Sequence, residues 1–492
     1  MRILQLVQNL KCEILGPDSS VTGLSYDSRL VKKGEVFFAI PGLKLDGHDY
    51  VEEAVKNGAV AVVVEKIQSV VSDITQIVVE NTRVAMGEMA AAYYQYPSRK
   101  LKVIGITGTN GKTTTSYLVR AVLQAAGYKV GLIGTIGNLV GDKIIPSKRT
   151  TPESLDLQRL LAEMVDKDVE YVVMEVSSHA LELYRTSGLE FDIAVFTNLT
   201  QDHLDFHNSF AQYFAAKAKL FSNLAKQHTK SGKIAIINFD DQYGMKMAAQ
   251  SSAPIYSYGI NQHANFSAWD IKVGNRGVKY RLVTPFGQTQ LNLNLTGRFN
   301  VYNSLAAAAA CLAEHISLDY VKAGLEQVTG VSGRFELVDQ GQDFMVIVDY
   351  AHTPDSLANV LQTARSLSTN HVITVFGAGG DRDQAKRPLM GQAAARFSDY
   401  IIITSDNPRS EEPMLICRQI EQGIAAESRE DLTYEIEINR RTAINSAIRL
   451  AKTGDVVIIA GKGHETYQEF ANHTEAFDDR KEAERALKEL LS

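Results

Sequence analysis

Cysteine is scarce in this 492-residue sequence: only Cys12, Cys311 and Cys417 are present, far apart in the chain. Their spacing forms no metal-binding pattern, and such usage suits a reducing compartment. No uninterrupted apolar stretch is long enough to span a bilayer. Residues 1–10 are amphipathic but lack the continuous apolar core and the cleavage site of a signal peptide. We therefore expect a cytoplasmic protein without stable membrane insertion.

An excess of positive charge is also missing. The formal net charge is −6 at pH 7, which argues against a general nucleic-acid binder, since such proteins usually carry a basic patch or a high isoelectric point. Tandem repeats and low-complexity tracts are absent from the sequence as well. The length predicts roughly three ordinary domains. We expect small-molecule substrates as partners, no nucleic acid, and a monomer.

What is present begins with a phosphate-binding loop. The apolar run Val103–Ile106 leads into Gly108-Thr109-Asn110-Gly111-Lys112-Thr113-Thr114, and a helical pattern follows. Glycines let backbone N–H groups close around an anion, Lys112 supplies a mobile charge for the outer phosphates, and the Thr113 hydroxyl can ligate Mg²⁺. The longer form of the pattern needs glycine where Ile106 stands, so only the shorter form is present. A nucleoside triphosphate is the predicted ligand, and an ordinary strand-to-helix turn is the alternative.

Three α/β segments are predicted, separated by two polar breaks. Residues 1–98 mix short strands and helices and form a smaller N-terminal domain, and the break at 96–100 precedes the phosphate loop. Strands and helices alternate over 99–332, which predicts a central, doubly wound parallel-sheet domain of the phosphate-loop ATPase type. After a second break at 331–334, residues 333–492 form another βα series, a Rossmann-like domain.

Open α/β sheets bind ligands at the carboxyl ends of their strands, so we expect the ligand-binding residues to follow the strand ends. The predicted strands are Val130–Ile133, Tyr171–Val176, Ile193–Phe196, Ile234–Ile237, Met345–Asp349, Val372–Phe376, Tyr400–Thr404 and Val456–Ala460.

Polar clusters follow several of these strands. Glu175, near the end of its strand, suits a Mg²⁺ ligand, and a solvated strand-end charge is the alternative. The segment 197–207 holds two histidines and two aspartates within six positions: Asp202, His203, Asp205 and His207. A turn with helix-capping aspartates would explain them equally well. Asp349 to Pro354 begins at another strand end, and a loop with capping residues is its alternative.

Three further loops, 377–383, 404–413 and 461–465, follow strands of the third domain. Each is charged and marked by glycine or proline, and together they could converge on one small, multiply charged ligand. Arg382 can grip a carboxylate through two hydrogen bonds. Independent surface loops are the alternative, and for Arg409 that alternative is a surface salt bridge to Glu411 or Glu412.

Taken together, these motifs resemble the Mur ligases, ATP-dependent amide-forming enzymes that build the peptide of bacterial cell-wall precursors. The resemblance covers the whole chain and all three domains. Its distinguishing motifs are Tyr26-Asp27-Ser28-Arg29, Asp46-Gly47-His48-Asp49-Tyr50, Thr150-Thr151-Pro152, Glu175-Val176-Ser177-Ser178-His179-Ala180 and Asp406-Asn407-Pro408-Arg409. The last one resembles the signature of members that select meso-diaminopimelate, whereas lysine-adding relatives usually differ at its second and fourth positions.

The resemblance implies roles for individual residues. Lys112, Lys217 and His203 would be catalytic, and Lys217 matches the lysine that the family carbamylates. Mg²⁺ ligands would be Thr113, Glu175, His203 and Lys217. ATP contacts would come from Gly108, Thr109, Asn110, Gly111, Lys112, Thr113, Thr114, Asn300, Asn303, Arg334, Asp349 and His352. Substrate contacts would come from Ser28, Thr150, Thr151, Ser177, Arg185, Arg382, Asp406, Asn407, Pro408, Arg409, Gly461 and Glu465.

The implied reaction joins meso-diaminopimelate to the D-glutamate γ-carboxyl group of UDP-N-acetylmuramoyl-L-alanyl-D-glutamate through an acyl phosphate, with ATP and Mg²⁺. It needs no protein nucleophile, since positioning and charge neutralisation carry phosphoryl transfer. Three alternatives stay open: L-lysine as the acceptor, another ligase of the superfamily such as a folylpolyglutamate or cyanophycin synthetase, and a phosphate-loop switch protein. The segment 349–465 favours a ligase, because a switch protein has no need for an amino-acid pocket.

Overall fold

The computed structural model describes residues 1–42, 45–69, 74–141, 143–147, 149–226 and 229–492, apart from the side chain of Asp205. The described strands form three large sheets that follow one another along the chain, and one separate hairpin. The expected α/β class with three successive sheet domains is confirmed. In the described part of the chain, no helix combines the length and the apolar character needed to cross a membrane.

The N-terminal sheet has five strands in the order β1-β5-β4-β3-β2, and only the β1–β5 pair is antiparallel. Val62 and its neighbours in β4 are fully buried, as expected for a strand covered on both faces. The elements are α1 (Ile3–Leu6), β1 (Cys12–Leu15), β2 (Gly23–Ser25), β3 (Glu35–Phe38), α2 (Val51–Lys56), β4 (Ala61–Val64), β5 (Thr75–Val79), α3 (Thr82–Tyr93) and α4 (Pro97–Lys100).

The break expected at 96–100 is a packed joint. Pro97 opens the short helix α4, where its missing N–H leaves no helical bond unmade. Pro97 and Ser98 are buried, and the Ser98 hydroxyl accepts a hydrogen bond from the backbone N–H of Glu190 at 3.2 Å. The first two domains are therefore connected by a helix that packs on the second.

The central sheet has eleven strands in the order β16-β15-β14-β13-β12-β11-β6-β10-β7-β8-β9. Its elements are β6 (Lys102–Thr107), α5 (Lys112–Ala125), β7 (Val130–Ile133), β8 (Asn138–Val140), β9 (Lys143–Ile145), α6 (Ser154–Asp166), β10 (Tyr171–Glu175), α7 (Ser178–Glu182), β11 (Ile193–Phe196), α8 (Leu204–His207), α9 (Phe210–Ser222), β12 (Ile234–Asn238), α10 (Gly244–Ala248), β13 (Ile255–Gly259), β14 (Phe266–Gly274), β15 (Gly277–Thr284), β16 (Gly287–Leu293), α11 (Arg298–Ala313) and α12 (Leu318–Gln327). Helices α5, α11 and α12 pack on one face, and α6 and α9 pack on the other, which gives the doubly wound arrangement.

The edges of this sheet differ from the expected parallel pattern. Strands β14, β15 and β16 form an antiparallel extension, and so do β8 and β9 at the opposite edge. In β15 the side chains of Val278, Tyr280 and Leu282 are buried while their neighbours are more exposed. Such alternation is typical of an antiparallel strand with one covered face. Sequence reasoning missed these strands, because they are not continuous apolar runs.

The C-terminal sheet has six strands in the order β17-β18-β22-β19-β20-β21, parallel except for β17. Helices α13, α14 and α15 cover one face, and α16 and α17 cover the other. The elements are β17 (Glu336–Leu337), β18 (Met345–Asp349), α13 (Pro354–Leu367), β19 (Val372–Phe376), α14 (Lys386–Phe397), β20 (Tyr400–Ile403), α15 (Pro413–Ala426), β21 (Thr433–Ile436), α16 (Arg440–Leu450), β22 (Val456–Ala460), β23 (Tyr467–Glu469), β24 (Thr474–Ala476) and α17 (Asp479–Leu491).

Candidate active site

The phosphate loop joins β6 to α5, and its glycines are required by contact and by backbone angle. Gly108 has φ +151° and Gly111 has φ +85°, which L side chains rarely adopt. A β-carbon on Gly108 would overlap the Thr197 side chain, and one on Gly111 would lie 2.5 Å from Asn303 Oδ1. The loop therefore presents its backbone at the N-terminus of a long helix, where an anion is stabilised.

Two lysines converge on one carbonyl oxygen of this loop. Lys112 Nζ donates to the carbonyl oxygens of Gly108 at 2.9 Å and Thr109 at 2.7 Å. Lys217, which is 1% exposed on α9, also donates from Nζ to Gly108 O, at 2.9 Å. Burial, followed by the charge of Lys112, lowers the pKa of Lys217 well below its ordinary value. Lys217 therefore loses its proton more readily than an ordinary lysine does.

Glu175, the last residue of β10, faces the first turn of α5. Its Oε2 accepts hydrogen bonds from the hydroxyls of Thr113 at 2.9 Å and Thr135 at 3.0 Å, and its Oε1 accepts one from the Thr135 backbone N–H at 2.8 Å. Arg334 of the C-terminal domain donates to Thr113 Oγ1 at 3.0 Å. Sequence reasoning missed Thr135, although it closely follows a buried strand and could have been found by the same strand-end rule.

The histidines of the segment 197–207 lie beside this loop. His203 has φ +55°, and its Nε2 is 3.2 Å from Asp202 Oδ2. Burial lowers the pKa of His203 to about 3, so the ring is neutral and can act as a ligand at neutral pH. His207 shares a hydrogen bond of 2.9 Å with Ser178 Oγ. The Asp205 side chain lies outside the described residues.

No group of three or more His, Cys, Asp or Glu residues in the described chain is arranged to hold a metal ion. The predicted Mg²⁺ ligands are not such a group, because they include the hydroxyl of Thr113 and the side chain of Lys217. The hydroxyl and carboxylate oxygens of Thr113 and Glu175 are the ligand types that Mg²⁺ prefers. This pair fits a Mg²⁺ ion beside the phosphate loop.

A cavity of about 710 Å³ opens between the central and C-terminal domains above the phosphate loop. Its lining contains these residues from the sequence predictions: Thr109, Asn110, Gly111, Lys112, Thr113, Thr114, Thr150, Glu175, Ser177, His203, Asn303, Arg334, Asp349 and His352. Gly108, Lys217 and Asn300 are not part of the lining. Asn300 is buried behind Asn303, whose Nδ2 donates to Asn300 Oδ1 at 2.9 Å.

The C-terminal domain contributes a charged rim to the cavity. Arg334 lies 4.5 Å from the centre of the Tyr350 ring. Burial raises the pKa of Asp349 to about 6, against the lowering effect of Arg334, and desolvation lowers the pKa of His352 to about 4. Asp355 Oδ2 accepts a hydrogen bond from Asn110 Nδ2 at 2.9 Å. Sequence reasoning missed this interdomain contact, because only the fold brings the two positions together.

At the opposite end of the cavity, Asp240 organises a second polar group that sequence reasoning missed. Its Oδ2 accepts hydrogen bonds from the backbone N–H of Ile260 at 2.6 Å and from the Tyr302 hydroxyl at 2.8 Å. Asp240, Tyr302 and Arg298 all line the cavity.

The predicted muramoyl-dipeptide residues lie beside Glu175. Thr151 Oγ1 donates to Glu175 O at 2.9 Å, and Arg185 Nη1 donates to Thr151 O at 3.2 Å. Thr150 and Thr135 share a hydrogen bond of 3.1 Å between their hydroxyls. Ser28 is separate from this group: it is buried in the N-terminal domain, with its hydroxyl bonded to Glu53.

The loops 377–383, 405–411 and 461–469, here called the C-terminal loops, pack against one another. A β-carbon on Gly379 would lie 3.1 Å from Arg409 Nη1 and 3.8 Å from Arg382 Cγ, so the two arginines flank the same glycine. Gly461 has φ +115°, and a β-carbon there would lie 2.5 Å from Asp406 Oδ2. These contacts bring Arg382, Asp406, Asn407, Pro408, Arg409, Gly461 and Glu465 into one cluster.

Asn407 links the acids and the lysine of this cluster. Its Nδ2 donates to Glu465 Oε2 at 2.8 Å, and its Oδ1 accepts from Lys462 Nζ at 2.9 Å. Burial alone would raise the pKa of Asp406, but the charges of Lys462 and Arg440 lower it below the ordinary value. Burial and the charge of Asp406 raise the pKa of Glu465.

The alternative role for Arg409 was a salt bridge to Glu411 or Glu412, but the structure pairs Arg409 with Glu469 instead. Glu411 pairs with Arg387 at 2.8 Å instead. Arg409 Nε donates to Glu469 Oε2 at 2.9 Å, and Nη1 donates to Gly380 O at 2.7 Å. Arg409 has φ +52°, which turns its side chain toward these partners rather than toward the acids that follow it in sequence.

Comparison with known proteins agrees with this architecture. Models of the Mur ligase family catalytic domain, the Mur ligase middle domain and the Mur ligase glutamate ligase domain match residues 20–94, 106–311 and 333–463. A relative from Geobacillus kaustophilus (strain HTA426), named UDP-N-acetylmuramoyl-L-alanyl-D-glutamate–2,6-diaminopimelate ligase, is 48% identical over 475 residues, covering 96% of each chain. The chain belongs to the Mur ligase family.

Further similarities of this Mur ligase extend over its full length. A relative of the same name from Caldanaerobacter subterraneus subsp. tengcongensis is 47% identical and covers 100% of this chain and 99% of its own. A solved structure of a protein with that name is 34% identical, with a TM-score of 0.67 over 96% of both chains. The MurF ligase from Thermotoga maritima in complex with ADP is 16% identical, with a TM-score of 0.64, covering 96% of this chain and 99% of that chain, and is alike in fold alone.

Proposed function

We propose that this Mur ligase joins meso-diaminopimelate to the D-glutamate γ-carboxyl group of UDP-N-acetylmuramoyl-L-alanyl-D-glutamate, with hydrolysis of ATP to ADP and phosphate. The observation that carries the proposal is a phosphate-loop cavity closed by a second domain, whose own loops gather Arg382, Arg409, Asp406 and Glu465. The names of the full-length relatives support the same reaction.

In the first step the γ-carboxylate attacks the γ-phosphorus of ATP, the bond to the β-phosphate oxygen breaks, and ADP leaves. Lys112 would move from the carbonyl oxygens of Gly108 and Thr109 to the outer phosphates and neutralise the charge that develops there. Mg²⁺ held by Thr113, Glu175 and His203 would supply further charge neutralisation when bound. Arg334 lies at Thr113 and would hold the C-terminal domain closed over the phosphates.

In the second step the amine of the acceptor attacks the acyl carbon. A tetrahedral intermediate forms, phosphate leaves, and the amine loses a proton to give the amide. The acyl phosphate is sensitive to water, so closure of the cavity by the C-terminal domain would protect it. Thr150, Thr151, Ser177 and Arg185 would hold the dipeptide, and Ser28 the uridine nucleotide.

Lys217 fits the proposed carbamylation. A neutral lysine amine adds to carbon dioxide with loss of one proton and becomes an anion of carboxylate type. Its low pKa provides the neutral amine, and its position beside Lys112 gives the new anion a cation to face. The product would also place an anion beside Lys112, where the Nζ atoms of both lysines now donate to Gly108 O.

We also propose domain boundaries at residues 1–98, 99–332 and 333–492, supported by the packed joint at α4 and by Gly333. Gly333 has φ +64°, and a side chain there would overlap His464, so the second joint passes close to the C-terminal loops. ATP and Mg²⁺ as the cofactors and the cytoplasm as the location belong to the same proposal. A monomeric state stays a prediction.

Phosphate release tests the proposed reaction. The ligase should release phosphate from ATP only when both the UDP-muramoyl-dipeptide and an amino acid are present. Phosphate release from ATP alone would favour a phosphate-loop switch, and dependence on a folate or on a poly-aspartate primer would favour another ligase of the superfamily.

A further inference from the structure

The guanidinium of Arg409 already has an acidic partner, and that partner lies outside the motif that contains Arg409. Glu469 is the last residue of β23, in the hairpin that β23 forms with β24. Its Oε2 accepts a hydrogen bond from Arg409 Nε at 2.9 Å. The side chains are 21% exposed for Arg409 and 42% exposed for Glu469, so solvent and ligands can reach the pair.

The backbone around Glu469 is held independently of this ion pair. The Arg409 backbone N–H donates to Glu469 O at 3.1 Å, and the Glu469 backbone N–H donates to Asn407 Oδ1 at 3.0 Å. The Glu469 carboxylate is therefore delivered to Arg409 by a fixed strand. A change confined to its charge should leave the strand in place.

Arg409 is likewise held by more than Glu469. Its Nη1 donates to Gly380 O at 2.7 Å, and Nη1 and the Arg382 side chain both lie within 4 Å of the position that a β-carbon on Gly379 would take. In the described chain Glu469 takes the Nε–H and Gly380 O takes one N–H of Nη1, so an incoming carboxylate would use Nη2 and the second N–H of Nη1. An incoming carboxylate would thus meet a guanidinium that Gly380 O holds in place and whose charge is partly offset by Glu469.

We propose that Glu469 is a specificity-determining residue, because its carboxylate competes with the distal carboxylate of the acceptor for Arg409. The same carboxylate would attract the distal ammonium that both L-lysine and meso-diaminopimelate carry, but only in meso-diaminopimelate does a second carboxylate oppose that attraction. Glu469 would therefore narrow the margin by which the enzyme prefers a dicarboxylic acceptor. This inference rests on the proposed function and on the assignment of Arg409 to the acceptor.

A substitution of Glu469 has two effects on the KM for meso-diaminopimelate. Loss of the negative charge should lower this KM, whereas loss of the hydrogen bond that orients Arg409 should raise it. Two carboxylates that share one guanidinium repel each other, and this repulsion is only partly screened in a half-exposed site. The orientation of Arg409, by contrast, has a second support at Gly380 O. Glu469→Gln also keeps an oxygen that can accept from Nε, so this variant separates the charge from the geometry.

The experiment measures steady-state kinetics with meso-diaminopimelate for the full-length enzyme and two variants. Glu469→Gln should lower the KM for meso-diaminopimelate by about twofold to fivefold with little change in kcat, in line with one partly exposed charge pair. Glu475→Gln is the matched control: it removes the same charge from an exposed residue of the other strand of the hairpin, which pairs with Gln468 rather than with Glu469. L-Lysine, measured as a weak substrate or as an inhibitor, should bind less well to Glu469→Gln than to the wild type.

The outcomes separate the two proposals. If the wild-type enzyme uses meso-diaminopimelate but Glu469→Gln matches Glu475→Gln in every KM, the role of Glu469 is refuted and the proposed function stands. A higher KM for meso-diaminopimelate in Glu469→Gln would also refute it, because Glu469 would then act only by orienting Arg409. If the wild type makes no product with meso-diaminopimelate, the proposed function and this inference both fail. Thermal melting of both variants checks that each is folded.

Discussion

Around the phosphate loop, lysine amino groups donate hydrogen bonds to backbone carbonyl oxygens. Around the C-terminal loops, by contrast, arginine and lysine side chains pair with carboxylates. Lys112 and Lys217 both donate to Gly108 O. In the C-terminal loops and the helices next to them, the pairs are Arg387 with Glu411, Arg409 with Glu469, Arg440 with Asp479, and Lys462 with Glu465. Within the described chain neither lysine has a carboxylate at salt-bridge distance, whereas each of these four cations pairs with one.

This difference matches the two kinds of ligand. A nucleoside triphosphate brings several negative charges, and a glycine-rich loop at a helix N-terminus, with lysines that have no carboxylate partner in the described chain, stabilises them. A diamino acid brings charges of both signs, so a neutral set of pairs can exchange partners with it. We therefore expect changes at the phosphate loop to affect every substrate combination, and changes in the C-terminal loops to affect the choice of acceptor.

Lys112→Ala should have the largest effect. It removes the mobile cation at the transferred phosphate, and ligation should fall by about a thousandfold or more, several kcal/mol in the transition state. The measurement is phosphate release under saturating substrates, with exposed Lys246→Ala as the control for loss of one lysine. Near-normal turnover of a folded Lys112→Ala enzyme would show that the phosphate loop does not act through the charge of Lys112.

Lys217→Ala comes next. Activity should fall by about tenfold to a hundredfold, as for loss of a group that supports a metal site, and short carboxylates such as formate or acetate should restore part of it. Lys219→Ala is the matched control, because Lys219 lies on the same helix and pairs with Glu182 at 2.7 Å. An unmodified Lys217 in a crystal grown with nucleotide and bicarbonate would contradict the carbamate proposal.

Arg409→Ala should weaken the use of meso-diaminopimelate by at least about tenfold, or about 1.4 kcal/mol. The KM values for ATP and the UDP-muramoyl-dipeptide should change much less, since neither contacts the C-terminal loops in the proposed mechanism. Arg418→Ala, which removes an exposed arginine paired with Glu421, provides the comparison. Equal losses for all three substrates would remove the distinction between the two regions.

The last prediction concerns stability and pH, and it should leave the choice of substrates unchanged. Burial, followed by the charges of His207 and Arg185, lowers the pKa of His179 to about 4. The unfolded chain then binds a proton below about pH 6.5 that the folded protein does not take up until about pH 4, so this histidine destabilises the fold as the pH falls through that window. In His179→Gln the free energy of unfolding should fall less between pH 7 and pH 5 than in the wild type, by about 1–2 kcal/mol. Parallel stability curves for the two proteins would contradict the shift.

The strands and the phosphate loop could be predicted because their signals are local. Val130–Ile133, Ile193–Phe196, Met345–Asp349, Val372–Phe376 and Val456–Ala460 have the predicted bounds, since buried parallel strands are continuous apolar runs. Strands β14 to β16 were missed because alternation, rather than an apolar run, marks them. The expected linker at 96–100 contains the helix α4, which local polarity alone does not reveal.

The contacts that complete the candidate site are long-range and could not be read in the same way. Asp355 reaches Asn110 across 245 positions, and Glu469 reaches Arg409 across 60. Neither acid belongs to a pattern that local sequence marks as functional. Thr135 is different, because it closely follows a buried strand, and the strand-end rule applied to every strand would have included it.

Acceptor dependence of the wild-type enzyme tests the central claim most directly. ADP formation and the mass of the product would be measured with ATP, the UDP-muramoyl-dipeptide and one of meso-diaminopimelate, L-lysine or L-ornithine. The account predicts efficient ligation of meso-diaminopimelate and much weaker use of the two acceptors that lack a second carboxylate. A preference for L-lysine, or ADP formation that needs no acceptor at all, would contradict it.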